Sequence, residues 1–223
     1  MSYFITGTDT GVGKTLVSCA LLHGFAAQGR RVAGFKPVAA GVDADGMNDD
    51  AKALLAASNV PLRYEQVNPY CLREAIAPHI AAKRENVRIE LSRIITAYRE
   101  LAAQAEVVIV EGAGGFRVPL NEAQDSADLA RELGLPVIVV VGMRLGCLNH
   151  ALLTVQAIAA GGLQCAGWVA NVLDADMPVL QENIGALKAR ISAPLLGVVP
   201  YMAEPDAKRA AGFLDLGLLG RGA

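Results

Sequence analysis

One local pattern constrains this chain more than any other. A short apolar segment, Tyr3–Thr6, runs into the turn Gly7-Thr8-Asp9-Thr10-Gly11-Val12-Gly13-Lys14-Thr15 and then into an apolar helical stretch. Glycines let backbone N–H groups turn inward around phosphate oxygens, and the helix N-terminus adds a partial positive charge. In such a cradle Lys14 reaches the β- and γ-phosphates of a nucleotide, and the Thr15 hydroxyl ligates Mg²⁺. The usual spacing, G-x-x-x-x-G-K-[ST], asks for glycine where Thr8 stands, and Gly7 lies one residue earlier. A glycine-rich turn with an incidental Lys-Thr is the alternative. The full Gly-Lys-Thr ending between a strand and a helix favours phosphate binding.

The rest of the chain repeats the strand–helix alternation. Strands are predicted at Tyr3–Thr6, Val32–Phe35, Val107–Val110, Val137–Val141, Ala166–Ala170 and Leu195–Val199. Several are Val/Ile-rich without polar alternation, the pattern of parallel strands covered on both faces. Helices are predicted at Thr15–Gln28, Asp50–Ala57, Ile89–Gln104, Ser126–Leu133, Asn149–Ala160 and Met177–Ala189, with Gly29 and Gly134 as C-terminal stops. The expected fold is α/β: a single doubly wound, mainly parallel sheet with helices on both faces, one P-loop domain over residues 1–223. Residues 60–82, with Pro61, Pro69 and Pro78, lack periodicity and are expected to form a long ordered excursion.

Composition excludes several partners. Twenty Lys and Arg against 22 Asp and Glu leave a net charge of −2, which argues against nucleic-acid binding. The most apolar run, Leu135–Val141, is far shorter than the roughly 20 residues of a membrane-spanning helix. The N-terminus has no basic region followed by a long apolar one, and Cys19, Cys71, Cys147 and Cys165 show no C-x-x-C spacing. A cytoplasmic protein with reduced, buried cysteines is expected, with no membrane partner.

In open α/β sheets chemistry sits beyond the carboxyl ends of the strands. Glu111 ends the third predicted strand and precedes Gly112-Ala113-Gly114-Gly115. It is a candidate Mg²⁺ ligand, because hard cations prefer carboxylate oxygens; a solvated strand-end glutamate is the alternative. Asn48-Asp49-Asp50 reads equally as an N-cap or as a source of a metal ligand. Lys36, in Gly34-Phe35-Lys36-Pro37-Val38, is placed to stabilise a transferring phosphoryl or carboxyl group, against the alternative of a snorkelling surface lysine. Asn171 ends the fifth strand and reads either as a contact to a base edge or as a turn former. His23 reads as packing, and His79 and His150 have no metal-site spacing.

Taken together, these segments resemble the dethiobiotin synthetases, P-loop enzymes of biotin biosynthesis. The resemblance rests on Thr6–Thr15, Gly34–Ala39, Val67-Asn68-Pro69-Tyr70, Pro78-His79 and Val110–Gly115. It continues through Leu145–Thr154, Gly167–Asn171 and Pro194–Gly197, in family order over nearly the whole chain.

The resemblance implies an ATP-dependent ligase that carboxylates 7,8-diaminononanoate with CO₂ or bicarbonate and closes the ring to dethiobiotin, through a carbamate and a carbamic–phosphoric anhydride. By family match Lys36 and Lys14 are catalytic, and Thr15, Asp50 and Glu111 hold Mg²⁺. Gly11, Val12, Gly13, Lys14, Thr15 and Leu16 wrap the phosphates, with Gly112, Ala113 and Gly114 beside the nucleotide; Asn171, Pro200, Tyr201 and Met202 contact adenine. Thr10, Lys36, Ala40 and Asn149 bind substrate, Asn149 in the region a partner subunit contributes in a homodimer. Two departures stand out: Ala40 where many relatives have serine, and Asp49 beside Asp50 as a rival ligand. The competing reading is a P-loop switch ATPase of the partitioning type, which typically carries a further lysine early in the loop, where Asp9 and Thr10 stand here.

Overall fold

Apolar runs without polar alternation bury both faces of a strand, and six such runs form one parallel sheet here. The structure, a computed structural model, describes residues 1–220. In chain order the elements are β1 (Ser2–Gly7), α1 (Lys14–Ala27), β2 (Val32–Phe35), β3 (Val38–Ala40), α2 (Asp49–Ala57) and α3 (Tyr64–Val67). Next come β4 (Tyr70–Leu72), α4 (Pro78–Arg84), α5 (Leu91–Ala102), β5 (Val107–Glu111), α6 (Ser126–Leu133) and β6 (Val137–Met143). The chain continues with α7 (Cys147–Ala160), β7 (Cys165–Val172), α8 (Leu180–Lys188), β8 (Leu195–Val199), α9 (Ala207–Ala211) and a 3₁₀ turn, Leu216–Gly220.

The sheet order is β2-β5-β1-β6-β7-β8, all parallel. Strand residues alternate between two cores. Phe4, Phe35, Val110, Val139 and Trp168 pack on one face, and Ile5, Ile109, Ile138, Val140 and Val169 on the other. From the adjacent strands β1 and β6 the chain leaves in opposite directions, toward β2 and toward β7. Such a switch point opens a crevice at the carboxyl ends of the strands. Register then sets the site: Ile5 lies beside Glu111 and Phe35 beside Val110, so Lys36 emerges next to Glu111.

All six predicted strands and helices are present, with shifted ends and several additions. α5 covers Leu91–Ala102 instead of Ile89–Gln104, because Ile89 is buried as an anchor ahead of the helix. α7 starts at Cys147, two residues before the predicted Asn149, where Gly146 at φ 92° turns the chain out of β6. α8 spans Leu180–Lys188, Val179 with φ 51° breaking the earlier start at Met177. The excursion at 60–82 is ordered: it holds α3, β4 and the start of α4, with β4 pairing in parallel to β3 as a separate two-stranded sheet. Cys19 and Cys147 are buried as expected, but Cys71 and Cys165 are half-buried, and all four are free thiols. The predicted domain limit at residue 223 lies outside the described residues.

Gly34 shows how closely α2 is seated on the sheet. A methyl group at this position would lie 2.7 Å from Leu54 Cβ and 3.0 Å from the Leu54 carbonyl oxygen. Overpacking of this kind costs about 1–3 kcal/mol, so Gly34→Ala is expected to lower stability to urea by that amount. An unchanged midpoint would mean that α2, and Asp50 at its start, can shift without cost.

Candidate active site

The glycine-rich turn closes by backbone bonds. Thr8 N–H donates to the Val140 carbonyl at 3.0 Å, which ties the turn to β6. Glycine is needed at position 7 and not at 8: a Cβ on Gly7 would lie 2.6 Å from Val12 Cγ2. Gly13 takes φ 87° at the start of α1, and a Cβ there would collide with the Asn171 amide at 2.1 Å. Asn171 is buried, and its Nδ2 donates to the Val12 carbonyl at 2.9 Å. Its amide donor therefore braces the turn.

Lys14 is buried in this turn, and its Nζ donates to the Asp9 carbonyl at 3.0 Å. Burial, followed by the nearby Lys36 charge, brings its pKa down to about 8 against the pull of Glu111, Asp50 and Asp9. Thr15 Oγ1 donates at 2.7 Å to Asp50 Oδ1 or at 2.9 Å to Glu111 Oε1, its single proton serving one at a time. Lys36 Nζ lies 2.6 Å from Glu111 Oε1, 3.0 Å from Asp50 Oδ2 and 3.3 Å from the Gly112 carbonyl. Burial opposes the Lys36 charge, but the Glu111 and Asp50 carboxylates outweigh it and raise its pKa above the usual lysine value. Burial likewise opposes the Asp50 charge; Lys36 and the Thr15 hydroxyl overcome it and lower the Asp50 pKa.

This geometry decides between the alternatives left open by the sequence. Lys36 is 3% exposed and Glu111 fully buried, so neither is a solvated surface group. Asn48 is the N-cap of α2, its side chain accepting from Ala51 N–H. Asp50 faces Thr15 and Lys36, whereas Asp49 is exposed and pairs with Lys52 at 2.9 Å. Asp50, not Asp49, joins the cluster.

The residues present fit a hard divalent cation. Glu111 Oε2 is buried with no hydrogen-bond partner, and hydroxyl and carboxylate oxygens of Thr15, Asp50 and Glu111 converge beside it. Among the described residues no group of three or more His, Cys, Asp or Glu could hold a metal. Two carboxylates and a hydroxyl suit Mg²⁺, which keeps waters and phosphate oxygens as its other ligands.

A cavity of about 940 Å³ opens over these groups. Thr10, Gly11, Gly13, Lys14, Thr15, Lys36, Asp50, Ala113 and Gly114 line it, as does Ala40 at the end of β3. Val12 and Leu16 pack toward the core behind the turn, and Gly112 is buried against Phe4. Pro200, Tyr201 and Met202 follow β8, whose Val199 is registered against Asn171, and so lie beyond the same strand ends but outside this cavity. Asn149 is exposed in the first turns of α7, also outside the cavity. A second cavity, of about 680 Å³, lies at the opposite ends of the strands, around Met1, Tyr3, Cys165 and Pro194.

Several contributors were not predicted. Asn68, buried, donates to the Lys36 carbonyl at 2.6 Å and holds the exit of β2. Ile76, Pro78, Arg117 and Val118 line the cavity. Arg144, just beyond β6, pairs with Asp9 Oδ2, while Asp9 Oδ1 accepts from Thr10 N–H at 2.7 Å. The signal for Arg144 was its place at a strand end, where ligand-binding residues gather.

A parallel sheet with this cradle and cluster at its carboxyl edge defines a P-loop nucleotide-binding protein. In agreement, the profile of an AAA domain family matches residues 1–209. The chain is 56% identical over 218 residues to the ATP-dependent dethiobiotin synthetase of Aromatoleum aromaticum, spanning 96% of this chain and 97% of that protein. It is 55% identical over 218 residues to that of Nitrosospira multiformis, spanning 98% and 96%. This chain belongs to the dethiobiotin synthetase family. Among solved structures it is similar to the septum site-determining protein MinD of Pyrococcus horikoshii, complexed with Mg-ADP, at TM-score 0.55, 17% identity, and coverage of 98% and 89%. It is also similar to a ParA family ATPase of Chlorobium tepidum, at TM-score 0.57, 13% identity, and coverage of 100% and 93%. At such identities the likeness shows the fold.

The Arg144–Asp9 pair is half-exposed, and pairs of that kind contribute about 0–1 kcal/mol to stability. Arg144→Met is therefore expected to leave the unfolding midpoint nearly unchanged while weakening binding of a non-hydrolysable ATP analogue by about three- to tenfold. Calorimetric titration checks this; unaltered affinity would show that the pair does not orient the loop.

Proposed function

We propose that this chain is an ATP-dependent dethiobiotin synthetase that acts on 7,8-diaminononanoate and CO₂. The observation that carries the reading is the convergence of two lysines, Lys14 and Lys36, with Thr15 and Asp50 in one cavity over the phosphate cradle, Glu111 being buried against Lys36 and Thr15, in a chain more than half identical to dethiobiotin synthetases.

The reaction proceeds in three steps. One amine attacks CO₂ and loses a proton, forming the N–C bond of a carbamate. A carbamate oxygen then attacks the γ-phosphorus of ATP, the bond to ADP breaks, and a carbamic–phosphoric anhydride results. The second amine attacks the carbonyl carbon and loses its proton, and phosphate leaves as the ring closes. Gly11 to Leu16 wrap the phosphates, and the Lys14 ammonium neutralises charge on the β- and γ-oxygens. Lys36 holds the carbamate and the γ-phosphoryl group in line and stabilises the charge that gathers between them. Thr15, Asp50 and Glu111 would hold Mg²⁺, which when bound screens the phosphate charges. Gly112 to Gly114 give the backbone close access to the nucleotide, and Asn171 with Pro200, Tyr201 and Met202 forms the adenine side. Thr10 and Ala40 face the substrate, with backbone or water replacing the hydroxyl absent at Ala40.

The working unit in this reading is a cytoplasmic homodimer of single-domain subunits. Leu145, fully exposed, and Leu153, 55% exposed, flank Asn149 at the start of α7, an apolar surface suited to a second copy of the chain. The partner's α7 then helps to bind the carboxylate of the diamine.

The test is phosphate release from MgATP with and without the diamine and bicarbonate, with dethiobiotin followed by mass spectrometry. Release that requires both is expected; release without diamine would favour a switch ATPase instead. Lys36→Gln keeps a donor for Glu111 and is expected to lower kcat by about 10²–10³-fold or more with the circular dichroism spectrum unchanged. Wild-type turnover by the folded variant would remove Lys36 from the mechanism.

A further inference from the structure

The cavity over the cradle has two chemically different walls. Lys14, Thr15, Lys36 and Asp50 form the polar one, while Ala40, Ile76, Pro78, Val118 and Pro119 contribute apolar surface. Phosphoryl transfer explains the first wall and gives no reason for the second.

Ile76 is the most informative member. It is a large β-branched residue 36% exposed, and it belongs to neither hydrophobic core nor to the side chains packed against them. The backbone around it is held firmly. Gly41 N–H donates to the Leu72 carbonyl at 2.9 Å, and Gly41 itself, at φ 97°, approaches so closely that a Cβ there would lie 3.0 Å from Ala75 Cβ. Arg73 N–H donates to Glu85 Oε1 at 2.7 Å, Arg84 pairs with Glu74 at 2.5 Å, and Pro78 opens α4. Ile76 is thus presented in an open cavity by a braced loop, outside both hydrophobic cores. A surface arranged in advance loses little freedom when a ligand covers it.

We propose that Ile76 is the specificity-determining residue for the aliphatic chain of the substrate, its side chain and Val118 covering methylene groups while the nitrogen-bearing end lies at Lys36. This rests on the reading of the protein as a dethiobiotin synthetase and goes beyond it by assigning the chain-length contact to a residue outside the phosphate cradle. Only a substrate with an apolar stretch removes water from this wall. A small polar acceptor gains nothing from it.

The experiment is steady-state kinetics with 7,8-diaminononanoate and with 5,6-diaminoheptanoate, which is two methylenes shorter, on wild-type protein, Ile76→Ala and Ile76→Leu. A covered methylene is worth roughly fourfold in binding, so the wild-type KM is expected to rise about tenfold or more for the shorter diamine. Ile76→Ala is expected to raise KM for the longer diamine by about tenfold and to flatten the dependence on chain length. Its kcat should stay within about twofold, its KM for ATP should be unchanged, and Ile76→Leu should restore most of the loss. The exposure of Ile76 means the variants fold, which thermal unfolding verifies. If wild-type protein makes dethiobiotin and Ile76→Ala keeps both the diamine KM and the chain-length dependence, the assignment of Ile76 is overturned while the function stands. Loss of kcat and ATP affinity together with diamine affinity also overturns it, because the loop would then act on the site as a whole. A wild-type protein that makes no dethiobiotin overturns the functional reading, and the assignment falls with it.

Discussion

A buried ammonium 2.6 Å from a buried carboxylate, Lys36 and Glu111, is the interaction on which the rest of the site depends. Taking such ions out of water costs several kcal/mol each, and packed hydrophobic residues in their place are often no less stable. The pair therefore gives no economical account of stability, yet four segments are arranged around it. β2 delivers Lys36, β5 delivers Glu111, the start of α1 delivers Thr15, and the start of α2 delivers Asp50. Removing Glu111 leaves Lys36 with Asp50 as its remaining carboxylate, whereas removing Lys36 leaves Glu111 buried without its ion-pair partner. What the arrangement secures is placement: a strong donor and hard acceptors held a few ångströms from the phosphate cradle before any substrate arrives.

The sheet was legible because every long apolar run had to be covered on both faces, and the cradle because glycine, lysine and threonine stand at fixed spacing between a strand and a helix. The two short strands β3 and β4 were not. Each has three residues, Pro37 separates β3 from β2, and so short a run carries no period. Asp49 and Asp50 were indistinguishable for a different reason. Successive helical residues differ by about 100° around the axis, and only the packing of α2 on the sheet decides which of them looks inward. Arg144 and Asp9 are separated by 135 residues and meet only because β6 lies beside β1. Asn171 was visible as a polar strand end, but its bracing of Val12 follows from the third dimension alone.

Likeness to MinD and ParA proteins at 17% and 13% identity reflects what any such protein needs: a parallel sheet, a switch point and a phosphate cradle. β3 and β4 form their own small sheet, attached through the exit of β2 and the Asn68 amide. The loop between β4 and α4 carries Ile76 and is closed on itself by Arg84, Glu74 and Glu85. Val38, Tyr70 and Leu72 seat this small sheet in the same core as Phe4 and Phe35, while the exposed side chains of the β4–α4 loop lie apart from the registers that place Lys36 beside Glu111. One fold can serve unrelated reactions when the residues at its strand ends and loops differ.

Charge explains why two lysines belong beside the acceptor in the proposed reaction. Lys36 helps to bring the Lys14 pKa down to about 8, so the two cations already repel each other. A free alkyl amine is itself cationic near neutral pH and meets the Asp50 and Glu111 carboxylates as well as the two lysines. Carboxylation reverses the sign: the amine becomes an anionic carbamate, and the same lysines now attract it, as they attract the γ-phosphate. The phosphoryl acceptor is thereby selected by its charge state as well as its shape.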